Sequence, residues 1–201
     1  SSLAGAEVLP VSAQTGQGIE ALRARLWQMA DQVGEHPRLR EAFRLAVDRS
    51  FTLGGIGTVV TGTVHAGSVQ VGDELVIAPG ERRVRVRSLH AQNREVNEAM
   101  AGERCALGLA GVSRDEVERG QWLVAPAAAL STDRFDARLA LWPEEARPLR
   151  SGTPVHLHLG SVSVMATVAV LDPPVIEPGQ AGSVQFVLRH AIGAWWGDRV
   201  V

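Results

Sequence analysis

The first part of the chain combines an apolar run, a polar glycine-containing loop and apolar residues at helical spacing. The run covers residues 6–11 and the loop covers residues 12–18. The apolar residues that then recur every three or four positions are Ile19, Leu22, Leu26 and Met29. This order predicts a strand, a loop and an amphipathic helix. The helix is expected to end at Gly34 and Pro37, because both residues interrupt helices.

Beyond Pro37 the pattern changes to short alternating or β-branched segments separated by glycine turns. Such segments are typical of strands. The first set comprises residues 43–49, 57–64, 74–78, 82–89, 104–110 and 122–125. Six strands at this spacing predict a closed antiparallel barrel.

A second set of predicted strands follows Pro126 and the alanines at 127–129, which together resemble a linker. This set comprises residues 135–141, 154–159, 161–171, 182–188 and a last segment near Arg199. The chain starts with one strand–helix unit, which cannot bury a core alone, and it stops inside a predicted strand. We therefore expect both ends to be cuts in a longer protein.

Composition narrows the class of protein further. No apolar run is long enough to span a bilayer, and the first ten residues do not resemble a secretion signal. Cys105 is the single cysteine, which excludes an internal disulfide and fits a reducing cytoplasm. The formal net charge of −2 argues against a generally basic nucleic-acid binder, although every basic residue is an arginine, which suits anions.

Two motifs suggest chemistry that their context does not favour. Residues 54–58 (GGIGT) resemble a phosphate loop, but they lack the Gly-Lys-[Ser/Thr] ending and precede a strand, so a hairpin connection is the better interpretation. His156 and His158 lie two apart on a predicted strand and could share a face, as in metal-binding barrels. A metal-dependent β-barrel enzyme is therefore one hypothesis, although no further ligand lies close in sequence.

Other charged residues are placed by the strand alternation. Arg83, Arg85 and Arg87 are expected on one face of their strand, where they could contact an RNA backbone or simply face water. Arg104 is expected on the open face of its strand and Cys105 inside. Asp48 and its neighbour Arg49 can line one pocket only if the chain bends near Ser50, so a local ion pair is the simpler interpretation.

Four ordered segments resemble the translation factor GTPases related to EF-Tu. They are residues 51–62 (FTLGGIGTVVTG), 71–75 (VGDEL), 101–104 (AGER) and 117–121 (VERGQ). Within that family, residues 43–51 (FRLAVDRSF) and 89–93 (LHAQN) resemble the selenocysteine-specific elongation factors, SelB. EF-Tu has two acidic residues where this chain has Asp48 and Arg49.

The resemblance implies a mainly β fold with two consecutive antiparallel barrels after a strand–helix remnant of an α/β GTP-binding domain. The implied domains are residues 1–38, 39–128 and 129–201, the last one truncated. It also implies that Asp48, Arg49 and Arg104, and more weakly His90, form the pocket for the selenocysteinyl end of a charged tRNA. Arginines would select a selenolate, because a selenol is much more acidic than a thiol with its pKa of about 8.5.

Residues 11–16 (VSAQTG) resemble the last guanine-contacting loop of the GTP-binding domain, with Ser12 and Ala13 nearest the base. The phosphate-binding and magnesium-binding motifs are missing, so we expect this chain to bind its cargo without hydrolysing GTP. GTP and magnesium are expected in the longer protein only. The implied partners are selenocysteinyl-tRNA, the ribosome and an mRNA insertion element, the last through a C-terminal region not in this chain. Another EF-Tu-like factor remains the alternative.

Overall fold

The structure is a computed structural model that describes residues 5–32, 38 and 40–201. It has two compact units, Ser1–Pro37 and Arg38–Val201. The first contains helix α1, Ile19–Gln32, as the apolar spacing predicts. The strand predicted at residues 6–11 is wrong, because these residues pair with no described strand. Gly34 and Pro37 lie outside the described residues, and no described helix is long and apolar enough to cross a membrane.

Strands β1 to β9 make up the first part of the second unit. Their bounds are β1 Arg44–Leu53, β2 Gly57–Ala66, β3 Ser68–Gln70, β4 Glu74–Ala78, β5 Arg82–Ala91, β6 Arg94–Glu95, β7 Glu98–Met100, β8 Arg104–Ala110 and β9 Trp122–Val124. The six predicted strands are all present, and those at 74–78 and 104–110 have the predicted bounds. The short strands β3, β6 and β7 were not predicted.

Six of these strands close into an antiparallel barrel in the order β4-β9-β1-β2-β8-β5, with β5 pairing back to β4. The predicted barrel is therefore confirmed. Residues 54–56 form the turn of the β1–β2 hairpin, in which the Ile56 amide donates to the Leu53 carbonyl at 3.1 Å. This placement supports a hairpin rather than a phosphate loop.

The second set of strands forms an antiparallel sheet in the order β10-β13-β12-β11. Their bounds are β10 Thr132–Ala140, β11 Thr153–Leu159, β12 Val162–Asp172 and β13 Ala181–Ile192. Across the described range, no pairing joins β10 to β11, so this sheet lacks the closure that the first barrel shows. The segment near Arg199 is not a strand, although Val201 and His158 exchange two backbone hydrogen bonds of 2.7 and 3.1 Å.

The two β-structures share a buried interface. One cluster of apolar side chains fills the barrel, and a second joins the outside of β1, β4 and β9 to the second sheet. Trp122 is the largest side chain in that second cluster and is 1% exposed. The Ser161 hydroxyl donates to the Val47 carbonyl at 2.7 Å across the same interface. Burial of this kind stabilises the contact at about 25 cal/mol per Å² of apolar surface.

A buried ion pair lies at the edge of this interface. Nη1 of Arg44 donates to both carboxylate oxygens of Asp198, at 3.0 and 3.1 Å, and the side chains are 3% and 8% exposed. Arg38 and the Trp195 amide also donate to Asp198, at 2.9 and 3.0 Å. The Arg44 guanidinium lies 4.5 Å from the centre of the Trp195 ring. Both oxygens of the buried Asp198 carboxylate therefore have hydrogen-bond partners, which offsets the cost of burying its charge.

Candidate functional site

A β-bulge sets the position of Asp48 on the barrel wall. Val47 pairs with Gly62 and Arg49 pairs with Thr61, the next residue back along β2, so Asp48 is the extra residue in β1. A bulge bends its strand and redirects a side chain, and bulges are common beside functional sites. The bend therefore lies at Asp48 itself, two residues before the predicted position at Ser50.

Asp48 is paired with an arginine on another strand. Arg104 donates from Nε to Oδ2 of Asp48 at 3.2 Å, and from Nη2 to both oxygens at 3.1 and 3.0 Å. The Thr61 hydroxyl, on the intervening strand β2, donates to Oδ1 of Asp48 at 2.5 Å and accepts from Nη2 of Arg104 at 3.3 Å. The simpler interpretation, a local pair between Asp48 and Arg49, is therefore wrong.

The strand register places the other predicted residues on the same face of the barrel. Arg49 pairs with Thr61, Thr61 with Ala106, and Ala106 with His90, which makes one row across four strands. Side chains of directly opposed residues point to the same face. The Arg49 side chain is exposed and makes no hydrogen bond or ion pair with any described residue. The face therefore carries one arginine that is paired and one that is not.

A cleft of about 630 Å³ opens on this face. Its lining residues are Thr61, His90, Gln92, Asn93, Arg104, Cys105 and Ala106. Gln92 and Asn93 form the turn between β5 and β6 with positive φ angles of 51° and 60°. Left-handed backbone is common for asparagine and uncommon for glutamine, so this rim is held in an unusual conformation. Asp48 and Arg49 adjoin this cleft through Arg104 and Thr61 and do not line it.

The Cys105 thiol is unreactive, because it lies among core residues of the barrel and is 3% exposed. Burial raises the pKa of its thiol to about 12, with a further contribution from the charge of Glu103. The thiolate is the reactive form of cysteine. Cys105 is therefore a neutral core side chain at physiological pH, as the strand alternation predicts.

We expect the Cys105 thiol to react with a disulfide reagent much more slowly in the folded chain than in urea. Equal reaction rates in buffer and in urea would contradict this prediction.

The raised pKa of Cys105 also predicts how the free energy of unfolding changes with pH. An unfolded thiol ionises near pH 8.5, well below the folded value of about 12. Its contribution to stability is therefore complete below about pH 8.5 and is lost as the pH rises toward 12. A free energy of unfolding that does not fall as the pH rises through this range would contradict this second prediction.

The arginine stripe on β5 is arranged as predicted, with Val84 and Val86 buried between exposed arginines. Arg83 is ion-paired with Glu74. Arg85 and Arg87 make no ion pair with any residue that the structure describes. Two of the three arginines are thus available to an external anion, and contact with an RNA backbone stays a prediction.

The Ser12–Ala13 loop is folded into a turn before α1. The Ser12 amide donates to the Gln17 carbonyl at 3.0 Å, and the Ser12 hydroxyl accepts from the Thr15 amide at 3.2 Å. Ala13 is exposed, and within residues 5–32 its amide has no hydrogen-bond partner. That amide can therefore donate to an acceptor such as a base oxygen, while its contact with guanine stays a prediction.

His156 and His158 both lie exposed on β11. In the part of the chain that the structure describes, no group of three or more His, Cys, Asp and Glu side chains is close enough to hold a metal ion. A catalytic zinc site needs three protein ligands. The geometry of β11 therefore gives no support to the metal-enzyme hypothesis.

Sequence reasoning missed two parts of the site. Thr61 lies inside the segment that carries the family resemblance, but its contact with Asp48 depends on the bulge. The turn at Gln92 and Asn93 has no hairpin signal in the sequence, because the strand that follows it, β6, has only two residues. The only sign of the bulge in the sequence was that the alternation of inward and outward positions in β1 breaks at a charged residue, Asp48.

Family models match both β-structures. "Elongation factor Tu domain 2" matches residues 57–124, and "Selenocysteine-specific elongation factor, beta-barrel domain" matches residues 136–201. The selenocysteine-specific elongation factor of Desulfomicrobium baculatum is 36% identical over 201 residues, covering 100% of this chain and 32% of that protein. The factor of the same name from Escherichia coli K12 is 37% identical over 175 residues, covering 87% and 27%.

Solved structures agree with this match. The crystal structure of a bacterial selenocysteine-specific elongation factor, EF-Sec, superimposes with a TM-score of 0.83 at 27% identity, covering 97% of this chain and 31% of that one. The chain thus spans about a third of the length of these relatives. With both β-structures matched in order, the chain belongs to the family of the selenocysteine-specific elongation factors.

Proposed function

We propose that this chain is the cargo-binding part of a GTP-dependent elongation factor and recognises the selenocysteinyl end of a charged tRNA. The observation that carries the proposal is the arrangement of Asp48, Arg104 and Arg49 on one face of the barrel. The aminoacyl group would occupy the cleft beside Arg104, with His90 on its far wall. Arg49 would approach from the neighbouring strand.

The charges of this site favour an anionic cargo. Asp48 neutralises Arg104 through a bidentate ion pair, whereas Arg49 has no counter-charge among the described residues. The three groups together therefore carry one net positive charge. A selenolate compensates that charge, while the hydroxyl of a seryl group cannot. Hydrogen bonds to charged groups are worth about 1.5–3 kcal/mol against about 1 kcal/mol for neutral ones.

The remaining functions belong to the longer protein that we propose. The described residues that resemble a nucleotide site are confined to the Ser12–Ala13 loop, which can offer backbone donors to a base but no phosphate or magnesium ligands. Binding of GTP and magnesium, delivery to the ribosome and contact with an mRNA insertion element would therefore need segments outside this chain. GTP hydrolysis by this chain alone is not expected. Delivery to ribosomes would place the protein in the cytoplasm.

Replacing Arg49 by glutamine in the full-length factor is expected to weaken binding of selenocysteinyl-tRNA about tenfold, because one charge-assisted contact is lost. Binding of seryl-tRNA should change little, since its side chain carries no charge. The measurement is the dissociation constant of each charged tRNA on the same tRNA body. Arg85→Gln is the matched control, because Arg85 is an unpaired arginine on the same barrel away from the cleft, so any loss of an RNA-backbone contact should weaken both charged tRNAs equally. Equal losses for both tRNAs in Arg49→Gln would contradict the proposal.

A further inference from the structure

We infer that Thr61 is a positioning residue, whose hydroxyl fixes the Arg104 guanidinium so that its Nη1 edge stays open to the cleft. The inference deepens the proposed function and rests on it for the identity of the cargo. Its structural part stands on three side chains alone: Thr61, Asp48 and Arg104.

The hydrogen bonds divide the guanidinium into two edges. Nε and Nη2 of Arg104 are occupied by Asp48, and Nη2 is also held by the Thr61 hydroxyl. Nη1 has no hydrogen-bond partner among the residues that the structure describes. The planar guanidinium has a fixed fork of donors, so occupying one edge determines where the other points. Arg104 and Thr61 both line the cleft, which places the free donors beside it.

Thr61 is the member of this group that can hold both partners at once. Its hydroxyl donates to Oδ1 of Asp48 at 2.5 Å and accepts from Nη2 of Arg104 at 3.3 Å. Arg104 and Asp48 are 55% and 31% exposed, so water competes for the hydrogen bonds of this pair and salt screens its attraction. Thr61 is half-buried on β2, between the strands of its two partners, and its β-branched side chain has few rotamers. The hydroxyl therefore adds a fixed contact to both members of an ion pair that is open to water.

The test uses the 201-residue chain labelled with ¹⁵N, and the readout is the exchange rate of the Arg104 Nε proton with water. Thr61→Val removes the hydroxyl and keeps the shape and β-propensity, and Thr61→Ser keeps the hydroxyl. We expect about tenfold faster exchange in T61V, with the wild-type rate restored in T61S. An unchanged rate in T61V would overturn the inference, as would equally fast exchange in T61S. If T61V loses the dispersed spectrum of a folded chain, Thr61→Ala replaces it under the same criteria.

A second arm separates this inference from the proposed function. Free selenocysteine under reducing conditions is the probe, and serine is its control. We expect selenocysteine to shift the Arg104 Nε signal of the wild type at lower concentration than serine, and T61V to weaken that response about tenfold. If neither amino acid shifts the signal while T61V still exchanges faster, the positioning role stands and the selenocysteine assignment of the cleft fails. A selenocysteine shift that occurs at the same concentration in T61V and in the wild type would overturn the role of Thr61.

Discussion

Replacing Arg44 by alanine is expected to lower the free energy of unfolding by about 3 kcal/mol. Removing one member of a buried ion pair leaves the other charged and desolvated, which costs about 3–5 kcal/mol. The lower end of this energy range applies, because Arg38 and the Trp195 amide still donate hydrogen bonds to Asp198 in the variant. The variant also loses the contact of the guanidinium with the Trp195 ring, which is 4.5 Å away.

Urea unfolding followed by tryptophan fluorescence measures this effect, because Trp122 and Trp195 lie at the affected interface. Arg83→Ala is the matched control, since it removes an arginine from an exposed pair with Glu74. Exposed pairs contribute at most about 1 kcal/mol. A similar small loss for both variants would mean that the Arg44 pair does not stabilise the contact between barrel and sheet.

Replacing Arg104 by glutamate in the full-length factor is expected to reduce the preference for selenocysteinyl-tRNA over seryl-tRNA by one to two orders of magnitude. The substitution places a second carboxylate against Asp48 and turns an attractive site for a selenolate into a repulsive one. Seryl-tRNA carries no side-chain charge, so its affinity should fall much less. Dissociation constants of the two charged tRNAs, measured with one tRNA body, give the ratio.

Arg83→Glu controls for an added negative charge on the same barrel, because Arg83 lies away from the cleft. In Arg83→Glu, the ratio of the dissociation constants of the two charged tRNAs should match the wild-type ratio. An Arg104→Glu variant with an unchanged ratio would show that the cleft does not discriminate between the two side chains.

Alternation along the chain was enough to predict the barrel, because each strand buries one face. Val84 and Val86 alternate with arginines, and Cys105 alternates with Arg104, so the inward and outward positions follow from the pleat. The strand at residues 6–11 failed because an apolar run becomes a strand only beside a partner strand. The two- and three-residue strands β3, β6 and β7 are too short for any periodicity to appear.

The site was only partly predictable for a related reason. The family resemblance selected Asp48, Arg49 and Arg104, but their contacts depend on a one-residue bulge that shifts the register of β1 against β2. That shift pairs Asp48 with an arginine 56 positions away rather than with its neighbour. Arg44 and Asp198 are separated by 154 positions, and no local pattern links them. The first contact follows from the register of the barrel strands and the second from the packing of the barrel against the second sheet, and the strand pattern encodes neither.

If the cleft recognises its cargo as an anion, its discrimination between the two charged tRNAs must depend on the pH at which the selenol ionises. The measurement is the ratio of dissociation constants for seryl-tRNA and selenocysteinyl-tRNA in the wild-type full-length factor, taken at falling pH from 8. We predict a large, constant ratio while the selenol is ionised, followed by a decline as it becomes protonated, with seryl-tRNA binding steady over the same range. A ratio that stays constant through protonation of the selenol would mean that the cleft does not recognise the charge of its cargo.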